Sequence, residues 1–111
     1  MHSTELLKGT LQMIILKLLA DEGKMYGYEI TQKVKELSEG QMVLTEGALY
    51  PTLHKLEAEG LLLTEKVALG KRVRKYYRLT ETGQSSVLKK VDEFTDFIGL
   101  MSRVLQIKPA L

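Results

Sequence analysis

Between Lys66 and Arg78 the chain carries six basic residues, Lys66, Lys71, Arg72, Arg74, Lys75 and Arg78, and no acidic one. The excess over the whole chain is only +2, so the positive charge is concentrated in this one segment. Clustered ammonium and guanidinium groups neutralise phosphates and release counterions, which supplies affinity for a nucleic-acid backbone more than sequence choice. A second group, Tyr50, His54 and Lys55, stands off the apolar series Leu49, Leu53 and Leu56. Side chains of these types on one helical face suit base edges and flanking phosphates in a major groove, with Thr45 and Glu46 at the start of the same helix. Lys71, Arg72, Arg74 and Lys75 then suit the backbone or a narrow minor groove.

Other chemistries find little support. The two histidines are His54 and His2, and cysteine is absent, so neither a disulfide nor a thiolate metal site can form. There is no Gly-rich phosphate loop, no Ser/His/Asp ordering on a supporting fold and no convincing carboxylate pair, so neither catalysis nor a metal or cofactor is expected. Nothing resembles a signal peptide or an apolar run of spanning length, and a soluble, cytoplasmic protein without membrane contact is the expectation. At 111 residues and 44% hydrophobic content, one core is expected.

The elements that must position these residues follow from periodicity. Residues 6–20 place Leu7, Leu11, Ile14 and Leu18 on one stripe, widened by Leu6, Met13 and Ile15, which predicts a first helix apolar around more than half its circumference. Asp21 to Lys24 reads as a polar connection. Ile30, Val34 and Leu37 predict a second helix over Tyr28–Ser38, stopped by Gly40. Gln41 to Leu44 is long for a tight helix-turn-helix link and reads as a short strand.

The third helix starts at Thr45, whose hydroxyl can cap it, and stops at Gly60. Pro51 lies inside it, opposite the unencumbered Gly47, and predicts a bent or loosened first turn with Tyr50 pushed outward. Residues 61–69 and 73–80 are strand-like and separated by Gly70-Lys71-Arg72, so a β-hairpin is expected. Alternation puts Val73, Lys75, Tyr77 and Leu79 on one face and Arg72, Arg74, Tyr76 and Arg78 on the other. Thr80 caps a final helix from Glu81 to about Gln106, which at 1.5 Å per residue spans roughly 39 Å before Lys108-Pro109. Val87, Val91, Phe94, Ile98, Met101 and Leu105 recur at heptad spacing, the seam of a helix that asks for a partner.

Three blocks in this order resemble the PadR family of winged helix-turn-helix transcriptional regulators: LKGTLQMIILKLL followed by MYGYEI, then ALYPTLHKLEAEGLL, then RKYYRLTETG. The single C-terminal helix resembles the short subfamily. The resemblance implies a mainly α fold with a small β-hairpin wing, a DNA-binding domain over residues 1–80 and a dimerisation helix over residues 81–111. It implies a homodimer built from the first and last helices, with Leu7, Leu11, Ile14 and the seam residues at the interface. Some members repress multidrug transporters, and some bind flat aromatic compounds between subunits. The expectation is therefore a repressor on an inverted-repeat, double-stranded operator, with an apolar or aromatic effector near Ile15, Phe94, Phe97 and Met101.

The wing reads GKRVRKYY, longer than the family's short Gly-(Pro/Gly)-Arg-Arg-Lys turn. Drug-binding relatives use an aromatic of the last helix, and in this tryptophan-free chain Phe94 takes the comparable place. Tyr26, Tyr28 and Tyr77 read as structural, and in the family pattern Gly27 permits close helix packing. The alternative is a winged-helix protein-interaction module without sequence-specific DNA binding.

Overall fold

The computed structural model describes the backbone of residues 4–108 and the side chains of residues 7–108. His2, Pro109 and the side chain of Leu6 lie outside the described residues. The elements run α1 (Thr4–Glu22), β1 (Lys24–Tyr26), α2 (Gly27–Leu37), α3 (Glu46–Ala58), β2 (Leu62–Leu69), β3 (Arg72–Leu79) and α4 (Glu81–Leu105). This is a winged helix-turn-helix arrangement extended by one long helix.

The breadth of the apolar face of α1 is used inside the chain. Leu11, Ile15, Leu16, Leu18 and Leu19 are all buried, and α1 packs against α3, β3 and α4. From α3, Leu49, Leu53 and Leu56 enter the same core, each with no exposed area. Ile30 and Val34 of α2, with Tyr77 and Leu79 of β3, close it.

The helix boundaries obey local chemistry. The Thr45 hydroxyl accepts the Ala48 N–H at 3.2 Å, which caps α3. At the other end Gly60 adopts φ +78°, the Leu61 N–H reaches the Leu56 carbonyl at 2.9 Å, and the Gly60 N–H reaches Glu57 at 3.0 Å. That pair of bonds is a Schellman closure. The helix runs without interruption through Pro51, which is exposed, so the loosened first turn expected around it is not broken out of the helix.

The third strand of the sheet is not the expected one. Lys24–Tyr26 is β1, an edge strand antiparallel to β3 with Met25 opposite Tyr77 and Tyr26 opposite Tyr76. The strand order is β1-β3-β2. Residues 41–44 are not a strand: Ser38 Oγ accepts the Met42 N–H at 2.9 Å and the segment runs as coil into the Thr45 cap. The β2–β3 turn is only Gly70-Lys71, because Leu69 pairs with Arg72. Gly70 has φ +63° and Lys71 is not in the left-handed region, the pattern of a type II′ hairpin.

Thr80 joins three elements. Its hydroxyl donates to the Gly60 carbonyl at 2.7 Å and accepts the Gly83 N–H at 3.0 Å, tying the end of α3 to the start of α4. Gly83 is buried against the Leu61 backbone, and Val87 anchors the first turns of α4 in the core. Farther along, Phe97, Leu100, Val104 and Leu105 are exposed. The radius of gyration is 15.3 Å, against about 13 Å for a compact domain of this length.

A Cβ at Gly83 would overlap the Leu61 carbonyl oxygen and stand 3.2 Å from its carbonyl carbon. Alanine in a helix ordinarily gains about 1 kcal/mol over glycine. Gly83→Ala is expected to reverse that sign and cost ~1–3 kcal/mol in urea unfolding, because backbone must move.

Candidate nucleic-acid interface

Burial of the three leucines fixes the rotation of α3 and leaves Glu46, Gly47, Pro51, His54, Lys55 and Ala58 on its outer side. Thr45 is also exposed, though its hydroxyl is committed to the cap. The start of α3 therefore offers an outward surface of backbone, a proline ring and a carboxylate, followed by an imidazole and an ammonium. Free amides at a helix start favour an anionic partner.

Tyr50 does not point freely outward. It is half-buried, packs on the core, and lies against Gly27 so closely that a Cβ there would overlap the Tyr50 hydroxyl and stand 2.9 Å from Cζ. The physical reason is that Gly27, at the first position of α2, offers a flat backbone on which the ring gains contact area. His54 lies one turn on, its ring centroid 6.4 Å from that of Tyr50. Tyr28, 63% exposed, directly follows Gly27 and is an outward aromatic that was read only as structural.

On the wing, Lys71 and Arg72 are exposed at the tip. Arg74 is half-buried because its guanidinium lies 4.0 Å from the Tyr26 ring centroid. A hydrogen bond to the Tyr76 side chain raises its pKa above the ordinary arginine value, with Tyr26, Tyr76 and Glu29 adding to the effect against a smaller desolvation cost. Lys75 turns the other way: its Nζ is 4.0 Å from Glu57 of α3 and 5.4 Å from the Tyr77 ring. Burial, then Glu57 and Tyr50, push the Tyr77 phenol up, so it stays neutral. A cleft of about 450 Å³ opens between α3 and the wing, lined by Tyr26, Gly27, Tyr50, Arg72, Arg74 and Lys75 among others.

The residues expected at a subunit interface or an effector site divide into three groups. Leu11, Ile15 and Val87 belong instead to the intrachain core, with 3%, 0% and 3% exposure, so they offer no surface to a partner or an effector. Leu7, Ile14 and Val91 pack partly on that core, and Phe94, Ile98 and Met101 are half-buried. Phe97 and Leu105 are exposed. The start of the heptad series, Val87 and Val91, packs on the intrachain core, and the bare stripe is the adjacent one, Phe97, Leu100 and Val104, whose spacings of three and four carried the signal. An apolar groove of about 450 Å³ lies between α1, α2 and α4, with Met13, Ile14, Leu18, Val34, Met42 and Phe94 in its walls.

Among the described residues no group of three or more His, Cys, Asp or Glu could hold a metal ion, and no helix is long and apolar enough to cross a membrane. The family model for the transcriptional regulator PadR-like family matches residues 15–89, which span α1 to the start of α4. The chain belongs to this family. It is 37% identical over 83 residues to a transcriptional regulator of Mycobacterium tuberculosis, covering 75% of this chain and 74% of that protein. A PadR family transcriptional regulator from Eggerthella lenta superposes with TM-score 0.79 at 30% identity, covering 94% of this chain and 88% of that one. A transcriptional regulator from Clostridium thermocellum gives TM-score 0.84 at 27% identity over 93% of this chain and 97% of that one. Membership of the PadR-like family makes the chain a DNA-binding transcriptional regulator.

The Gly27–Tyr50 contact is testable by a double-mutant cycle. Gly27→Ala should destabilise the fold by ~1–3 kcal/mol, the range for overpacking. In the Tyr50→Ala background the same change should cost markedly less, since the obstructing ring is gone. Equal costs in both backgrounds, measured by urea unfolding, would show that the two residues do not restrain each other.

Proposed function

We propose that this regulator is a homodimeric, cytoplasmic repressor that acts by binding and not by catalysis. The carrying observation is that α3, its apolar face fully enclosed, leaves His54, Lys55 and the helix start bare, while Tyr50 of the same helix lines one cleft with Arg72 and Arg74 of the basic wing. Thr45, Glu46, His54 and Lys55 read or flank base edges, Tyr50 contributes the accessible edge of its ring, and Lys71, Arg72 and Arg74 meet phosphates or a narrow minor groove, while Lys75, expected beside them, is turned toward Glu57 and Tyr77. In a two-fold dimer the two α3 helices enter successive major grooves about 34 Å apart on an inverted-repeat operator.

Residues 1–80 form the DNA-reading unit and 81–111 the dimerisation unit. The exposed stripe Phe97, Leu100, Val104 and Leu105 supports the second assignment, because so much apolar surface on one helix is stabilised by a partner. Leu7, Ile14, Val91, Phe94, Ile98 and Met101, each only partly buried, would add to that interface. A planar apolar or aromatic effector seated between Phe94 and its symmetry mate, near Phe97 and Met101, would favour a subunit spacing that no longer fits DNA, by population shift.

The test is fluorescence anisotropy against the upstream promoter duplex and a scrambled duplex at several salt concentrations. Promoter-selective binding with a log–log salt slope near about −7 is expected for a dimer touching about eight phosphates. Replacing Arg72 and Arg74 by alanine should shrink the slope by about 3–4, the share of four lost contacts. Leu100→Asp should give folded monomers by sedimentation, because the residue is 49% exposed and off the intrachain core. Equal weak binding to both duplexes would instead favour a protein-interaction module.

A further inference from the structure

Tyr26 is the N-cap residue of α2 and lines the cleft between α3 and the wing, which its ring faces. The Arg74 guanidinium lies 4.0 Å from the Tyr26 ring centroid, within the range of a cation–π contact. Tyr76, the cross-strand partner of Tyr26, meets the same ring edge-on, with centroids 5.5 Å apart and planes at 83°. Tyr76 in turn takes Lys24 Nζ at 5.0 Å from its ring, and that lysine is paired with Glu65 of β2 at 3.0 Å. The backbone of Tyr26 is held as well, its N–H donating to Glu29 Oε1 at 3.1 Å. A side chain fixed by β1, by α2 and by its strand neighbour therefore forms the platform under one wing arginine.

We propose that Tyr26 is a positioning residue for DNA binding, its ring pre-ordering the Arg74 guanidinium so that the N–H groups not bonded to Tyr76 meet a backbone phosphate beside the groove entered by α3. An arginine on a strand samples many rotamers, and stacking its planar face restricts them while leaving the remaining N–H groups available. The contact also joins the wing to the start of α2, whose next residue, Gly27, seats Tyr50 of α3. Two adjacent residues thus hold the wing and the recognition helix in a common frame. This rests on the DNA-binding reading above.

The test compares Tyr26→Phe, Tyr26→Leu, Arg74→Ala and the Tyr26→Leu/Arg74→Ala double variant in promoter anisotropy across salt concentrations. The Arg74 Nε–H resonance is followed in parallel, since an aromatic ring shifts it upfield. Tyr26→Phe keeps the platform and should bind within about twofold of wild type, with the upfield shift retained. Tyr26→Leu should lose the shift and ~4- to 25-fold in affinity, about two- to fivefold per stack over two subunits. The double variant should bind no more weakly than Arg74→Ala, because Tyr26 acts through that arginine. If Tyr26→Leu binds as wild type does, or the two losses simply add, the positioning role is overturned. If wild type itself shows no promoter-selective binding, the DNA reading falls first, and the Nε–H shift still reports whether the stack exists.

Discussion

The structure depends on where α3 puts Leu49, Leu53 and Leu56. Complete burial of each leucine is worth about 1.5–3 kcal/mol, so rotating the helix to expose them would cost an appreciable part of a small domain's stability. The helix has one azimuth in consequence, and its outer side is whatever the stripe leaves over. Pro51 is tolerable on that outer side because it is exposed and faces no packed neighbour that its ring must displace. The proposed DNA-facing surface is thus set by the core behind it.

Placement of the wing follows from the same core. Tyr77 and Leu79 bury one face of β3, which sends Arg72, Arg74 and Arg78 to the other. Thr80 then bonds back to Gly60 and forward to Gly83, and Gly83 sits on the Leu61 backbone, so α4 leaves the domain in a fixed direction. In the proposed dimer this rigid connection converts a change of spacing between α4 helices into a change of spacing between α3 helices. An effector at the interface needs only a differential fit to the two spacings.

Features with a local cause were legible in the sequence. Thr45 and Thr80 announce helix starts through their hydroxyls, Gly60 announces an end through its left-handed backbone, and alternation reveals the hairpin and its basic face. What was not legible depends on contacts between distant parts of the chain. β1 has three residues, too few for alternation to show, and exists because β3 offers it an edge. Tyr50 looked outward until Gly27 was seen beneath it, and Arg74 looked free until Tyr26 was seen under its guanidinium. The heptad series on α4 was real, but the chain's own core takes its start, and Leu100 and Val104 on the next stripe remain bare.

The most direct test is the distance between the two recognition helices on DNA. The chain has no cysteine, so Ala58→Cys at the exposed end of α3 carries a single spin label. Double electron–electron resonance on the promoter-bound protein should give one narrow intermolecular distance near roughly 34 Å, broadened by the label's own reach. Absence of intermolecular dipolar modulation, or a broad distribution unchanged by the promoter duplex, would contradict a homodimer that sets two α3 helices into successive major grooves.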